Sequence, residues 1–139
     1  MKITAQLNNV LGSNQVTLRT NESVRSIDIS SKASGYGSSV NGGELLFLAL
    51  ATCYCNDIYR EAAKKGIKVS RVEVEVSGDF GLEGAPVKNV TYLARVAADA
   101  SEAEVRELME HTDQVSEVQN SLRQGTPVTL SAIEVLPVN

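Results

Sequence analysis

The run LLFLALATCYC, residues 45–55, constrains this chain more than any other stretch. It carries no charge and no turn former, so it reads as helix. It is apolar nearly all round, and a helix apolar on every side is buried on every side. The following segment, NDIYREAAKK, is amphipathic and runs into Lys64-Lys65-Gly66. Two cations and a glycine suit a helix C-terminus, through the dipole and the left-handed C′ position. Upstream, Asn41-Gly42-Gly43-Glu44 offers an N-cap asparagine with a glutamate three residues on, a capping-box variant. One helix is therefore expected over about 42–65, starting deep in the protein and ending at its surface.

Strands flank this helix. Residues 1–30 alternate apolar and polar through Ile3, Ala5 and Leu7, then Val16 and Leu18, then Ile27 and Ile29. Turns at Gly12-Ser13-Asn14 and Asn21-Glu22 make these three short antiparallel strands. Residues 31–43 are rich in Ser and Gly and read as a loop. After the helix, Val72, Val74 and Val76 share one strand face, and Val90, Tyr92, Ala94 and Val96 another. Ser101-Glu102-Ala103-Glu104 is a capping box opening a second helix with Val105, Leu108 and Met109 on one side. A break near Thr112-Asp113 precedes a short helix carrying Val115, Val118 and Leu122, and Val128–Val135 reads as a closing strand. The order βββ-α-ββ-αα-β is an α+β pattern. No repeat or linker divides residues 1–139, so a single domain is expected, with its C-terminal α/β part over 67–137.

A formal net charge of −4 disfavours nucleic acid as partner, since phosphate binding needs a concentrated basic surface. No apolar run approaches the ~20 residues that span a bilayer. The start, MKITAQLNNV, reads as a strand and not as a secretion signal. A cytoplasmic protein without membrane contact is expected. There is no Trp, so Val, Leu, Ile and Ala must build the core. Small aliphatic cores often gain burial by oligomerising, and a homodimer is expected.

Inventory excludes most chemistry. The sole histidine, His111, sits beside Glu110 and Asp113 and reads as a surface or helix-end residue, too isolated for zinc. No phosphate-binding or dinucleotide-binding glycine pattern and no GxSxG is present, so no cofactor and no metal are expected. Tyr36, in the glycine loop, suits a packing lid over the helix start or a substrate contact. Cys53 and Cys55 remain. Residues two apart on a helix point roughly 200° away from each other. The pair therefore forms no relaxed disulfide and clamps no single ion. The ordinary reading of a buried cysteine is a small hydrophobe. Cys55 shares its face with Ala51, Ile58, Tyr59 and Ala62, which looks like packing. Cys53 lies with Leu50, Asn56 and Asp57, where apolar gives way to polar. A reactive thiol needs a cation nearby, and Arg19 and Arg25 on the early strands are candidates that spacing does not separate.

The segment GYGSSVNGGELLFLALATCYCNDIYREAAKKGI resembles the central helix of the OsmC/Ohr family. That pattern is a glycine-rich loop, then Glu44-Leu45-Leu46, a small-residue apolar stretch, and Cys53 at the reactive position. The resemblance implies an OsmC-like α+β fold in an intertwined homodimer with the long central helices packed between subunits. It also implies thiol-dependent reduction of organic hydroperoxides or peroxide. A cysteine becomes sulfenic acid, a second cysteine condenses with it, and a dithiol reductant restores both.

Two positions depart from the family pattern. Ser116 stands where the second cysteine should be, in the stretch SEVQNSL. Gly43 stands where peroxidase members carry a glutamate that orients an arginine, and Glu44 is its neighbour. Two readings follow. One is a one-cysteine peroxidase with Cys53 as nucleophile, Cys55 as a less suitable resolving thiol, and an external dithiol. The other is a non-catalytic protein on the same fold that binds a small apolar ligand or serves as a scaffold.

Overall fold

The computed structural model describes residues 1–138. Its elements are β1 (Ile3–Val10), β2 (Ser13–Thr20), β3 (Ser23–Ile27), α1 (Gly42–Lys64), β4 (Lys68–Asp79), β5 (Lys88–Asp99), α2 (Glu102–Val115) and α3 (Glu117–Arg123). The α+β class and the order of these eight elements agree with the sequence pattern. They group into two compact units, Met1–Leu48 and the chain from Ala49 onward.

In the first unit, β1, β2 and β3 form an antiparallel sheet in that order. Leu7 pairs with Val16 and Val16 with Ile27, so the alternating apolar residues line one face. The loop after β3 is held to the hairpin by Asn9. Its Nδ2 donates to Gly37 O at 3.1 Å, and Gly37 N donates back to Oδ1 at 2.9 Å. Gly37 has φ 100, a conformation that glycine adopts without a Cβ clash. At the start of α1 the reciprocal cap forms as expected. Glu44 N donates to Asn41 Oδ1 at 2.8 Å, and Asn41 N to Glu44 Oε1 at 3.0 Å.

In the second unit, β4 and β5 make a two-stranded antiparallel sheet with Val72 opposite Val96, Val74 opposite Ala94 and Val76 opposite Tyr92. Such a pair is marginal alone and needs a covering layer. Tyr54, Ile58 and Ala62 of α1 and Leu108 of α2 provide it, packed on Val72, Val74 and Val96 with Tyr92 and Met109. Fully burying each large apolar side chain contributes about 1.5–3 kcal/mol. The Tyr54 and Tyr92 rings meet edge to face, centroids 5.1 Å apart. Tyr54 Oη donates to Met109 O at 2.8 Å, and Tyr92 Oη to the Asp113 carboxylate. α1 ends where Ile67 N donates to Ala62 O at 3.0 Å across Gly66, φ 68, the left-handed C′ glycine the sequence announced.

Three expectations are corrected. The break between the last helices falls at Ser116, not near Thr112-Asp113, and Val115 belongs to α2. Thr112 stays helical because its Oγ1 donates to Leu108 O at 2.7 Å inside the turn. The apolar start of α1 is not enclosed, for Leu48 is 60 % exposed and Leu45, Leu46 and Phe47 are only partly buried. Residues 128–135 form no strand. Val128 is 99 % and Val135 91 % exposed, because alternation marks a face but no ladder partner is at hand in the chain. Among the described residues no helix is long and apolar enough to cross a membrane.

The two helices over the sheet are tied by a buried carboxylate. Glu61 is 4 % exposed and accepts from Lys64 Nζ and Arg60 Nε, each at 2.9 Å. His111 Nε2 lies 2.9 Å from its other oxygen. Donation from Lys64, then Arg60 and His111, holds the Glu61 carboxyl at about 2, below its ordinary 4.5. The folded form binds the proton more weakly than the unfolded one. Its stabilisation is therefore complete above pH 4.5 and lost as pH falls toward about 2. Glu61→Gln is expected to lower the urea midpoint at neutral pH, with the gap to wild type closing near pH 2. Parallel curves at every pH would refute this.

Candidate active site

Residues three and four apart share a helix side, so Leu50, Cys53, Asp57 and Arg60 form one stripe along α1. The start of α3 lies against it. Ser116, extended at φ −78 and ψ 109, turns the chain between α2 and α3. Its buried hydroxyl is satisfied by donation to Thr112 O at 2.7 Å. Gln119 Nε2 donates to Leu50 O at 2.9 Å, which fixes α3 along the stripe.

This contact surrounds one sulfur with polar groups. The Cys53 thiol donates to Asp57 Oδ2 at 3.4 Å. The Val118 backbone N–H favours the ionised form of the sulfur. Arg60 Nη1 reaches Asp57 Oδ1 and Glu117 Oε1, both at 3.1 Å. One donor atom each of Cys53, Asp57 and Glu117 lie within 4.8 Å of one another. Asp57 is 6 % exposed, Cys53 is partly exposed, and the Glu117 side chain stands in solvent.

The electrostatics follow. Burial, first, pushes the Cys53 thiol above its ordinary value; the Val118 N–H opposes this, and Asp57 and Glu117 add to it. Burial raises Asp57 as well, with the Cys53 hydrogen bond and Arg60 opposing. Glu117 is lowered, first by its own backbone N–H and then by Arg60 and Asp57. The thiol keeps its proton at neutral pH, with an acceptor already in contact. A sulfur and two carboxylates could hold a divalent ion. Here Arg60 already bridges both carboxylates, so the set reads as a polar thiol site.

Of the other candidates, those in the second unit lie outside this cluster. Cys55 is also a free thiol and lines a cleft of about 240 Å³ with Ala51, Thr52, Asn56, Val72 and Val74. The two thiols thus face β4 and α3, as helical rotation requires. Arg19 and Arg25 belong to the first unit. Register puts them on opposite faces, Arg25 beside Leu18 and Arg19 beside Val24. Tyr36 is exposed in its loop. His111 lies within α2, on Glu61. Glu44 spends its carboxylate on the α1 cap. A groove of about 1080 Å³ between β5 and α2 contains no thiol. Sequence reading missed Arg60, Glu117 and Val118. Arg60 was accessible as the residue three after Asp57, one turn along the same face. Glu117 and Val118 had no local signal, because only tertiary packing brings α3 to α1.

Two antiparallel sheets, a long helix between them in sequence and a thiol in its middle define a recognisable class of α+β protein. A family model described as OsmC-like protein matches residues 35–131, and the chain belongs to that family. An OsmC-like protein from Mycoplasma pneumoniae superposes with TM-score 0.58 at 20 % identity, over 88 % of this chain and 89 % of that one. An OsmC-like protein of unknown function from Vibrio cholerae gives 0.59 at 14 %, over 87 % and 93 %. An OsmC-like hydroperoxide resistance protein from Jannaschia sp. gives 0.53 at 16 %, over 96 % and 92 %. At these identities the likeness shows the fold. Comparison with curated proteins finds no match.

Because burial and the carboxylates hold the proton on Cys53, its alkylation by iodoacetamide should rise with pH through a midpoint above that of an ordinary thiol. Asp57→Asn should move the midpoint down. Peptide mass spectrometry resolves Cys53 from Cys55, and a midpoint at or below that of free cysteine would contradict the geometry.

Proposed function

We propose that the chain is a thiol-dependent hydroperoxide reductase of one-cysteine type, with Cys53 as its nucleophile. The observation that carries this is the polar seat of the sulfur, which has a carboxylate acceptor at 3.4 Å and lies near a backbone N–H that favours its ionised form. A cysteine serving only as packing would have neither. Family membership and the hydroperoxide resistance protein of the same fold support the reading.

In the proposed reaction Asp57 takes the thiol proton, and the Val118 N–H stabilises the thiolate. The sulfur attacks the terminal peroxide oxygen, the O–O bond breaks, and the alcohol leaves after taking a proton. Cys53 is then a sulfenic acid. Ser116 offers no thiol, and Cys55 points elsewhere. An external dithiol therefore forms a mixed disulfide with loss of water, and its second sulfur releases Cys53 as the dithiol becomes a disulfide. Two free cysteines suit a reducing, cytoplasmic setting. Cys53→Ser is expected to abolish turnover of an organic hydroperoxide with dithiothreitol. A wild type no faster than the variant ends this reading.

A second reading, a non-catalytic binding or scaffold protein, is favoured by one observation: the thiol is raised, not lowered. It predicts no sulfenic acid on Cys53 after stoichiometric hydroperoxide.

The working unit in either case is proposed to be a homodimer. Exposed Ile3 and Leu7 on β1, Leu48 on α1, and Leu130, Ile133 and Leu136 near the C-terminus call for cover that the chain does not itself supply. Light scattering should give twice the 14.9 kDa chain mass at micromolar concentration. A monomer there would refute the dimer.

A further inference from the structure

We propose that Asp57 and Glu117 make Cys53 a charge-selective thiol, open to neutral and cationic reaction partners and closed to anionic ones. The inference deepens the reading above, since it names a substrate class for the same sulfur.

The argument is geometric. Asp57 Oδ2 lies 3.4 Å from the sulfur, and a Glu117 carboxylate oxygen lies within 4.8 Å of it. The one guanidinium of the cluster, Arg60, reaches the carboxylates at 3.1 Å. It is also shared with Glu61 through Nε at 2.9 Å. Glu61 in turn takes Lys64. Among the described residues of the second unit around the sulfur, then, one cation faces two carboxylates, and the balance is negative. A reagent must approach within a few ångströms of this pair to reach the sulfur. At that range one net charge alters an encounter by about tenfold even with substantial solvent screening. In the redox reading, uncharged alkyl or aryl hydroperoxides are accepted and carboxylate-bearing ones are refused.

The test uses two methanethiosulfonates on the full wild-type chain, one carrying a trimethylammonium group and the other a sulfonate. The thiolate attacks the sulfenyl sulfur of the reagent, a mixed disulfide forms and methanesulfinate leaves, with the thiol proton passing to solvent. Modification of Cys53 is followed by peptide mass spectrometry without reductant. Each rate is divided by that for mercaptoethanol, which removes the intrinsic difference between the reagents. The normalised cationic-to-anionic ratio is expected to be about tenfold or more at low salt. It should fall toward one at high salt, where screening shortens the reach of the carboxylates. Glu117→Gln should reduce it severalfold. That side chain is 68 % exposed, so the variant should fold even where Asp57→Asn does not. A normalised wild-type ratio of one or less overturns the proposal, as does a high ratio that neither salt nor Glu117→Gln reduces. The readout needs no peroxide. Loss of hydroperoxide turnover with charge selection intact would therefore remove the redox reading alone.

Discussion

Two carboxylates, Asp57 and Glu61, are carried into the interior by one helix, and Arg60 between them makes that tolerable. A buried unpaired carboxylate would cost several kcal/mol. Arg60 divides its fork, with Nη1 to Asp57 at 3.1 Å and Nε to Glu61 at 2.9 Å. The same Nη1 reaches Glu117, which brings the start of α3 to α1. Glu61 takes His111, which brings α2 to α1. The guanidinium is suited to this because its donors are fixed in a plane and it stays charged. A lysine there would offer one point charge to three acceptors. The polar contacts that join α3 to α1 and the polar seat of Cys53 thus share one side chain.

This explains why the thiol is held as it is. Among the described residues of the second unit the sulfur is not placed against a cation, the usual way to populate a thiolate. The cation serves the carboxylates, and one of these serves the sulfur. The Val118 N–H is the only contact described here that favours the ionised form. Ser116, the position of the second cysteine in the resembled pattern, has its hydroxyl committed to the Thr112 carbonyl. A serine there makes a well-satisfied helix junction.

Much of the architecture was legible in the sequence because its signals are local. The Asn41–Glu44 and Ser101–Glu104 caps, the Gly66 terminator and the alternation of Val72, Val74 and Val76 each specify structure within a few residues. What was illegible depends on partners. The apolar start of α1 and the alternating residues 128–135 encode faces and say nothing of what covers them. The Ser116 break was misplaced by a turn because Thr112, polar and poor in helix propensity, satisfies itself on the Leu108 carbonyl. At the site, helical rotation correctly separated Cys53 from Cys55 and grouped Cys53 with Asp57. Arg60, one turn further along the same face and the partner of Asp57, went unread.

A thiol that holds its proton tightly is a handicapped nucleophile, but the size of the handicap matters. Each unit by which its proton affinity rises lowers the thiolate population at neutral pH about tenfold. The thiolate that does form is more nucleophilic, with a Brønsted coefficient of about 0.4–0.5, which returns about threefold. The net loss is therefore only about threefold per unit. A carboxylate in contact with the thiol can also take the proton without waiting for water. The raised proton affinity of Cys53 thus sets the pH at which the proposed chemistry runs far more than whether it runs. Charge around the sulfur acts on the approaching molecule in full, with no such compensation. In the proposed reaction, Asp57 and Glu117 would consequently bear more on which substrate is admitted than on how fast an admitted one reacts.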